Sequence, residues 1–504
     1  RDEHMKRILY PRFVAAGWLT ADAPLAIDGP RGEPALPSDA HGRIVWPAGD
    51  LIAELRAWCE RFLDPALVSA LWDSSNSGLL VDDAEIRVPR GMNLESRPAR
   101  RIDRRTGASV ASHVRTLLPR STRLGLRIVL APSDDPAQNA QMQAGLALLL
   151  QALADGEIRL GRGRSRGCGR VRLEYWQTVE ERIDSADGLL DLLGRRRRGD
   201  RIVSLDKLRS AAPQVQAQPS PVVEIDVHWL QTGALLVQSD RAGLGVDVLP
   251  ASTTVERRTA LVLPGTSVKG SLRAQAEKIV RTLLGGPEGS EQLPLCRALF
   301  GSASEDRSGR GALEVDDVAS RRTLSRDQWA SVEQLAAEAA PANDPSRSPL
   351  RKKLTGMGLD AWRPNAMLAL DRWSGGASEN APNVLEPQQI EWEPLRLRLD
   401  LGRVPQSERA AAVALVFLTL HDLGAGRATF GSGSARGRGV VQIEALTIRN
   451  LAALGSSLAS VDPTLHVPGG RTTDLPAGVR EALRSAWSAW LASRPAPVVE
   501  ASHG

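Results

Sequence analysis

Glycine and arginine alternate in two short stretches: Gly161–Val171 reads GRGRSRGCGRV and Gly431–Val441 reads GSGSARGRGVV. Glycines without a Cβ let a phosphate backbone approach the main-chain amides, and arginine offers a planar, permanently charged fork for phosphate oxygens. The residues suited to this are Gly163, Arg164, Arg166 and Gly167 in the first stretch, and Gly433, Arg436 and Gly437 in the second. A tight turn with solvated arginines would have the same composition. A dinucleotide-binding loop would not, because it follows a strand and opens a helix. Here each stretch follows a helical pattern and opens a strand, and no G-K-[ST] nucleotide loop is present.

A second basic feature lies between Arg87 and Arg127, where eleven arginines, with Arg101, Arg104 and Arg105 at the centre, face only Glu95 and Asp103. A charge run can be a plain solvated face, but this one occupies a connection between two strands, where scaffolds commonly present binding groups. A basic, glycine-interrupted surface reads as nucleic-acid binding, and RNA suits it better because grooves that follow a backbone favour extended single strands. With few aromatics, base stacking has little support. His113 and His421 are isolated, and a lone histidine is more often structural than catalytic. The acid pairs Asp82/Asp83 and Asp316/Asp317 each close a strand, a recurrence that fits a fold role at least as well as a metal. Cys59, Cys168 and Cys296 are too far apart for a disulfide framework or a zinc site.

These groups are carried by a duplicated chain. The two glycine stretches match at a constant offset of 270, as in Gly161/Gly431 and Gly169/Gly439. Companions follow in the same order: WPAGDLIAELR from Trp46 with LPGTSVKGSLR from Leu263, ALWDSS at Ala70 with ALFGSA at Ala298, and, more weakly, RIDRRTGAS from Arg101 with ALDRWSGGAS from Ala369. Hydrophobic spacing predicts, for the first copy, a strand over Phe13–Ile27, a helix through Leu51, Leu55, Trp58 and Phe62, a strand near Leu79–Arg87, an alternating strand at Leu124–Leu130, a helix through Leu146–Leu153 and a strand from Val171. The second copy repeats the order from Val223 to Leu446. The expected fold is α+β, two tandem ferredoxin-like (RRM-like, βαββαβ) domains with long inserted loops. Residues 1–176 form the first domain, 177–221 a linker, 222–449 the second domain and 450–504 a helix, roughly Ala477 to Ala492, with a tail. With 504 residues, 42% hydrophobic and 24% charged, the chain can build more than one core. It has no apolar run of membrane-spanning length and no secretory pattern in its first thirty residues, so a cytoplasmic protein without a membrane partner is expected.

Taken together, Leu263–Arg273, Leu299–Gly301, Ile102–Gly107 and the two G-x-G-x-x-R-G-x-G loops resemble the RAMP superfamily of CRISPR systems. More narrowly, the chain resembles a backbone subunit of type III effector complexes of the Csm and Cmr kind, present twice in one chain as in the fused subunits of type III-D complexes. The resemblance covers roughly residues 10–176 and 222–446. It implies binding to a CRISPR guide RNA, to a complementary target RNA and to other type III effector subunits, in a ribonucleoprotein of antiviral defence. It also implies that Ser267, Lys269 and Arg273 contact the guide, and that Val88–Thr122 and Ala319–Trp392 wedge into the guide–target duplex. Asp247 in G-V-D-V-L-P, seventeen positions before Pro264, would promote cleavage of the target RNA with Mg2+ or Mn2+, and no tightly bound organic cofactor is implied. Read without the resemblance, Asp247 is a turn residue before Pro250. The first copy departs from the pattern, with Gly49, Asp50 and Ile52 in the motif and Asp28, Glu33 and Asp39 as its candidate acids. A non-catalytic scaffold and an endoribonuclease that processes guide precursors, using His113 or His421, are the other readings.

Overall fold

Alternation of apolar and polar residues makes Arg123–Leu130 a strand with one buried face, since Leu124, Leu126 and Ile128 are buried while Arg123 is exposed. The computed structural model describes residues 11–27, 37–73, 78–102, 109–182, 185–193, 201–239, 246–284, 293–302, 309–334, 349–366, 373–374, 383–455 and 462–494. Two compact units result. One comprises Arg1–Leu94, Leu117–Arg164 and Cys168–Ser220, and the other Glu95–Thr116, Ser165–Gly167 and Pro221–Gly504.

In the first unit the strand Arg12–Ala21 runs antiparallel between Arg123–Leu130 and Val171–Glu181. The strands Leu79–Val81 and Ala84–Arg87 pair with the far side of Arg123–Leu130. Counted in chain order, the four main positions across the sheet are therefore fourth, first, third, second. The helices Ala48–Phe62, Pro65–Trp72 and Pro136–Ala154 bury Leu51, Leu55, Leu71, Leu146 and Leu150 against the inner face. The second unit repeats the arrangement with Val222–Gln231 between Leu395–Asp400 and Val441–Arg449, and Leu313–Asp316 beyond. Its helices are Gly265–Leu284, Pro294–Phe300 and Arg409–Gly424. The expected alternation and helical spacing thus give mixed α+β units with the expected element order. Where one short strand was expected near Leu79–Arg87, two stand either side of Asp82/Asp83.

Three expectations change. The segment 177–221 is no linker: the strand from Val171 continues to Glu181, Arg201–Val203 pairs with it, and the helix Leu205–Ser210 buries Leu208 in the first unit's core. Its proline- and glutamine-rich end disguises an otherwise packed segment; Arg195–Arg198 lie outside the described residues. Much of Ala319–Trp392 is not a projecting wedge either. Val318–Leu324 pairs with Arg258–Leu263, and Trp329, Trp362, Leu385 and Trp392 are buried in the second core. Val88–Thr122 does contain a two-stranded element, Glu95–Ile102 with Ser109–Leu117, but it is assigned to the second unit. Leu208→Ala should lower stability by about 2–5 kcal/mol in urea unfolding, as a core truncation does. A linker position would change it by less than about 0.5 kcal/mol.

Candidate nucleic-acid interface

Both glycine loops hang on the same set of backbone hydrogen bonds. In the first, Leu160 N donates to Gly169 O (2.8 Å), Arg162 N to Ala26 O (3.0 Å), Cys168 N to Gly163 O (3.3 Å) and Gly169 N to Pro24 O (3.0 Å). In the second, Phe430 N donates to Gly439 O (3.0 Å), Ser432 N to Leu236 O (2.8 Å), Arg438 N to Gly433 O (3.3 Å) and Gly439 N to Ala234 O (2.8 Å). Four matched bonds at matched positions make the duplication a property of the backbone as well as of the letters. Every shared glycine has positive φ, from +73° to +94°, so the turn reading and the phosphate-cradle reading describe one conformation.

The surroundings of the two loops differ. Arg166–Gly167 forms a two-residue strand parallel to Leu313–Asp316, at the edge of the second unit's sheet. A Cβ on Gly167 would lie 1.8 Å from Asp317 Oδ1, which excludes any other residue there. Gly437, its counterpart, has open space at that point. Arg166 and Arg436 are both exposed. Arg164 instead pairs with Glu54, and Arg438, which sequence reasoning passed over, is buried against Glu386.

Asp317 is the acid on which this region is assembled. Its Oδ1 accepts from Gly265 N at 2.8 Å, at the start of the helix Gly265–Leu284. Its Oδ2 pairs with Arg97, which also bonds Glu95 (2.7 Å) and Thr253 (3.0 Å). Glu95 in turn accepts from Thr253 Oγ1 (2.8 Å) and Thr254 N (3.0 Å). In the first copy Asp83 Oδ1 accepts from Ala48 N at 2.7 Å, the position that aligns with Gly265. The recurring acid pair is thus a helix cap supplied by a neighbouring strand end, where a carboxylate meets free amides and the positive end of the helix dipole.

The predicted motif residues are mostly turned to internal tasks. Lys269 is buried and donates its Nζ to Leu313 O at 2.7 Å, so as placed it contacts a strand carbonyl instead of solvent or a phosphate. Burial, with Arg166 nearby, pushes its pKa from 10.5 down to about 7. Arg273 pairs with the fully buried Glu277 (2.8 Å), which also holds Arg281 (3.2 Å). Ser267 is half-buried in the first helical turn. Asp247 is exposed on a stretch tied down by buried Val246 and Leu249 and by Leu385 N donating to Val248 O at 3.0 Å. Among the described residues no three His, Cys, Asp or Glu side chains gather as a metal site. A divalent ion at Asp247 would therefore draw its remaining oxygens from RNA and water, a ligand set that magnesium accepts. Asp39 accepts from His41 N (2.8 Å), Arg43 N (2.9 Å) and Arg43 Nε (2.8 Å), bonds that hold its carboxyl below the usual range. As placed, it shapes its own turn and is a poor nuclease candidate. His421 is half-buried in the last turn of its helix with Nδ1 lacking a partner among the described residues. Asp28, Glu33, Arg104 and Arg105, and the side chains of Arg101 and His113, lie outside the described residues.

Residues 256–441 match the family model described as the RAMP superfamily, the family that the motifs resemble. That match spans the motif helix and the second glycine loop. No curated protein sequence matches the chain. Among solved structures, a chain from the "Crystal structure of Csm3-Csm4 subcomplex in the type III-A CRISPR-Cas interference complex" is similar at 15% identity and a TM-score of 0.27, over 42% of this chain and 99% of that one. No helix among the described residues is long and apolar enough to cross a membrane.

Asp317→Ala leaves the buried Gly265 amide without its acceptor and Arg97 with Glu95 as its carboxylate partner, and should cost about 2–3 kcal/mol. Asp83→Ala, an exposed cap, should cost about 1 kcal/mol, with urea unfolding separating the two. For Lys269 the folded pKa lies below the unfolded one, so from pH 7 to 10.5 the unfolded chain binds the extra proton and stability rises with pH. Lys269→Met should flatten that rise and stabilise the protein at pH 7, read as the urea midpoint against pH.

Proposed function

We propose that the chain is a guide-RNA-binding backbone subunit of a type III CRISPR effector ribonucleoprotein. Its two units would act as adjacent ferredoxin-like modules that hold the guide–target RNA duplex alongside other effector subunits. The observation that carries this reading is the pair of matched glycine loops, each presenting an exposed arginine, Arg166 and Arg436, on the same backbone scaffold. The RAMP match over 256–441 supports it. At either loop a phosphate would meet a charged fork, Arg166 or Arg436, set on a turn of positive-φ glycines. Lys269 and Asp317 support the first of these loops, by fixing the helix start and the strand Leu313–Asp316 against which Arg166–Gly167 pairs, while Arg273 satisfies Glu277 within the helix.

In this reading the exposed Asp247 carboxylate orients a target phosphate and its neighbouring hydroxyl for cleavage. A bound Mg2+ or Mn2+ would supply charge neutralisation at the phosphoryl oxygens and a lowered pKa for the attacking oxygen. A second reading, a scaffold without cleavage, is favoured by one observation: no further acids join Asp247 in a metal-binding cluster among the described residues. Guide processing at His421 has less support, because its ring is half-buried at a helix end.

With the assembled complex, complementary RNA and magnesium, Asp247→Ala should reduce cleavage roughly a hundredfold or more, the scale of losing a transition-state contact. RNA affinity should stay within about threefold. Arg436→Glu should weaken RNA binding and flatten its salt dependence, because each phosphate contact adds about 0.7 to the log–log slope for single strands. Uncut target in wild type and variant alike, with binding intact, would establish the scaffold reading.

A further inference from the structure

The outer face of the first unit's sheet carries a feature that its counterpart lacks. Where Arg12–Ala21 pairs with Val171–Glu181, the register shifts between Ala16 and Trp18, so Tyr175 and Trp176 together stand opposite Gly17. Trp176 turns toward the core, against Gly17, where any Cβ would lie 2.3 Å from the Trp176 Cβ. Tyr175 is turned out at φ +48° and is 80% exposed. A non-glycine residue at positive φ is strained, and here the strained backbone displays a ring to solvent. Beside it, Arg123 stands 5.9 Å from the Tyr175 ring centroid, and among the described residues no carboxylate pairs with it. One strand further, Trp18 lies over Gly125 with the Arg87 guanidinium 4.4 Å from its ring centroid. The remaining charges on this face offset one another: Arg87 with Glu85, Arg127 with Asp82, and Arg172 with Asp22 and Glu174.

The second unit also has a bulge, between His228 and Trp229, but without a positive-φ residue, and among the described residues its outer face carries the imidazoles of His228 and His466 in place of Tyr or Trp rings. There Arg398 and Arg449 close on Glu224 and Asp226, and the exposed Arg396 stands on the same face with no aromatic ring beside it. One copy keeps the bulge as fold geometry, while the other uses it to present an aromatic ring beside an arginine that no carboxylate neutralises.

We propose that this face, at Trp18, Arg87, Arg123 and Tyr175, binds an unpaired stretch of RNA by stacking its bases, separately from the glycine loops. A sheet whose exposed aromatics and arginines lie flat offers π-faces to any base, and the uncompensated Arg123 suits an adjacent phosphate. The choice of RNA rests on the function proposed above; the stacking surface itself does not depend on it.

The test uses the full chain and a fluorescein-labelled, twelve-nucleotide single-stranded RNA containing 4-thiouridine, with cross-links mapped by mass spectrometry. Cross-links should fall on peptides containing Tyr175 or Trp18. Tyr175→Ala should weaken binding about tenfold, within the range of one lost stack, whereas Tyr175→Phe should bind as wild type. Tyr175→Gly should melt at a higher temperature than wild type while losing the same affinity, since glycine relieves the positive φ. An affinity for Tyr175→Ala within twofold of wild type, cross-links confined to other surfaces, or equal losses for Phe and Ala would each overturn the inference. Arg436→Glu, assayed in parallel, separates the readings. If it alone weakens RNA binding, the stacking face fails and the glycine-loop reading stands; if wild type binds no RNA, both fail.

Discussion

A single carboxylate, Asp317, organises the second unit. It stands at a strand end, buried, and its two oxygens serve two different parts of the chain: Oδ1 caps Gly265 N and Oδ2 holds Arg97. An uncompensated charge in that place would be expensive, so each partner is needed to make the others tolerable. The cap fixes the start of the helix Gly265–Leu284, the arginine anchors the element beginning at Glu95, and the same carboxylate leaves room for nothing larger than glycine at 167. The loop strand Arg166–Gly167, the motif helix and the two-stranded basic element are thereby brought to one sheet edge. Asp83 at Ala48 N is the simpler form of the same device.

This arrangement changes how the motif Leu263–Arg273 is understood. Its glycine, lysine and arginine look like ligand-binding residues in a linear reading, and several are structural in the fold. Gly265 permits contact with the loop strand, where a Cβ would lie 2.8 Å from Gly167 N. Lys269 ties the helix to the Leu313 carbonyl, and Arg273 satisfies buried Glu277. Charge exposed for a polyanion comes instead from the loops, at Arg166 and Arg436, which sit on backbone scaffolds matched bond for bond.

The sequence makes element types and order readable because periodicity reports burial: Leu124–Leu130 alternates, and Ala477–Ala492 is the amphipathic helix it was expected to be. The duplication is readable too, since a glycine that must adopt positive φ is hard to replace. Pairing at a distance is not readable. Nothing local to Arg97 points to Asp317, or Arg438 to Glu386, because an ion pair leaves no periodic trace. The packed segment 177–221 was hidden by its proline and glutamine content, and the buried tryptophans of 319–392 by an irregular pattern that resembles a loop. Tyr175 was invisible for a different reason: a bulge shifts the register by one residue, and one residue decides which face a side chain occupies.

The matched glycine loops, each with an exposed arginine, are proposed to hold a guide RNA. The most direct measurement is to cross-link the chain in cells that carry the complete effector system, trim with nuclease and sequence the protected RNA. Discrete CRISPR-derived guides should be recovered, with protein cross-links at the loops around Arg166 and Arg436. Recovery of no RNA, or of a random cellular sample cross-linked elsewhere, would contradict it.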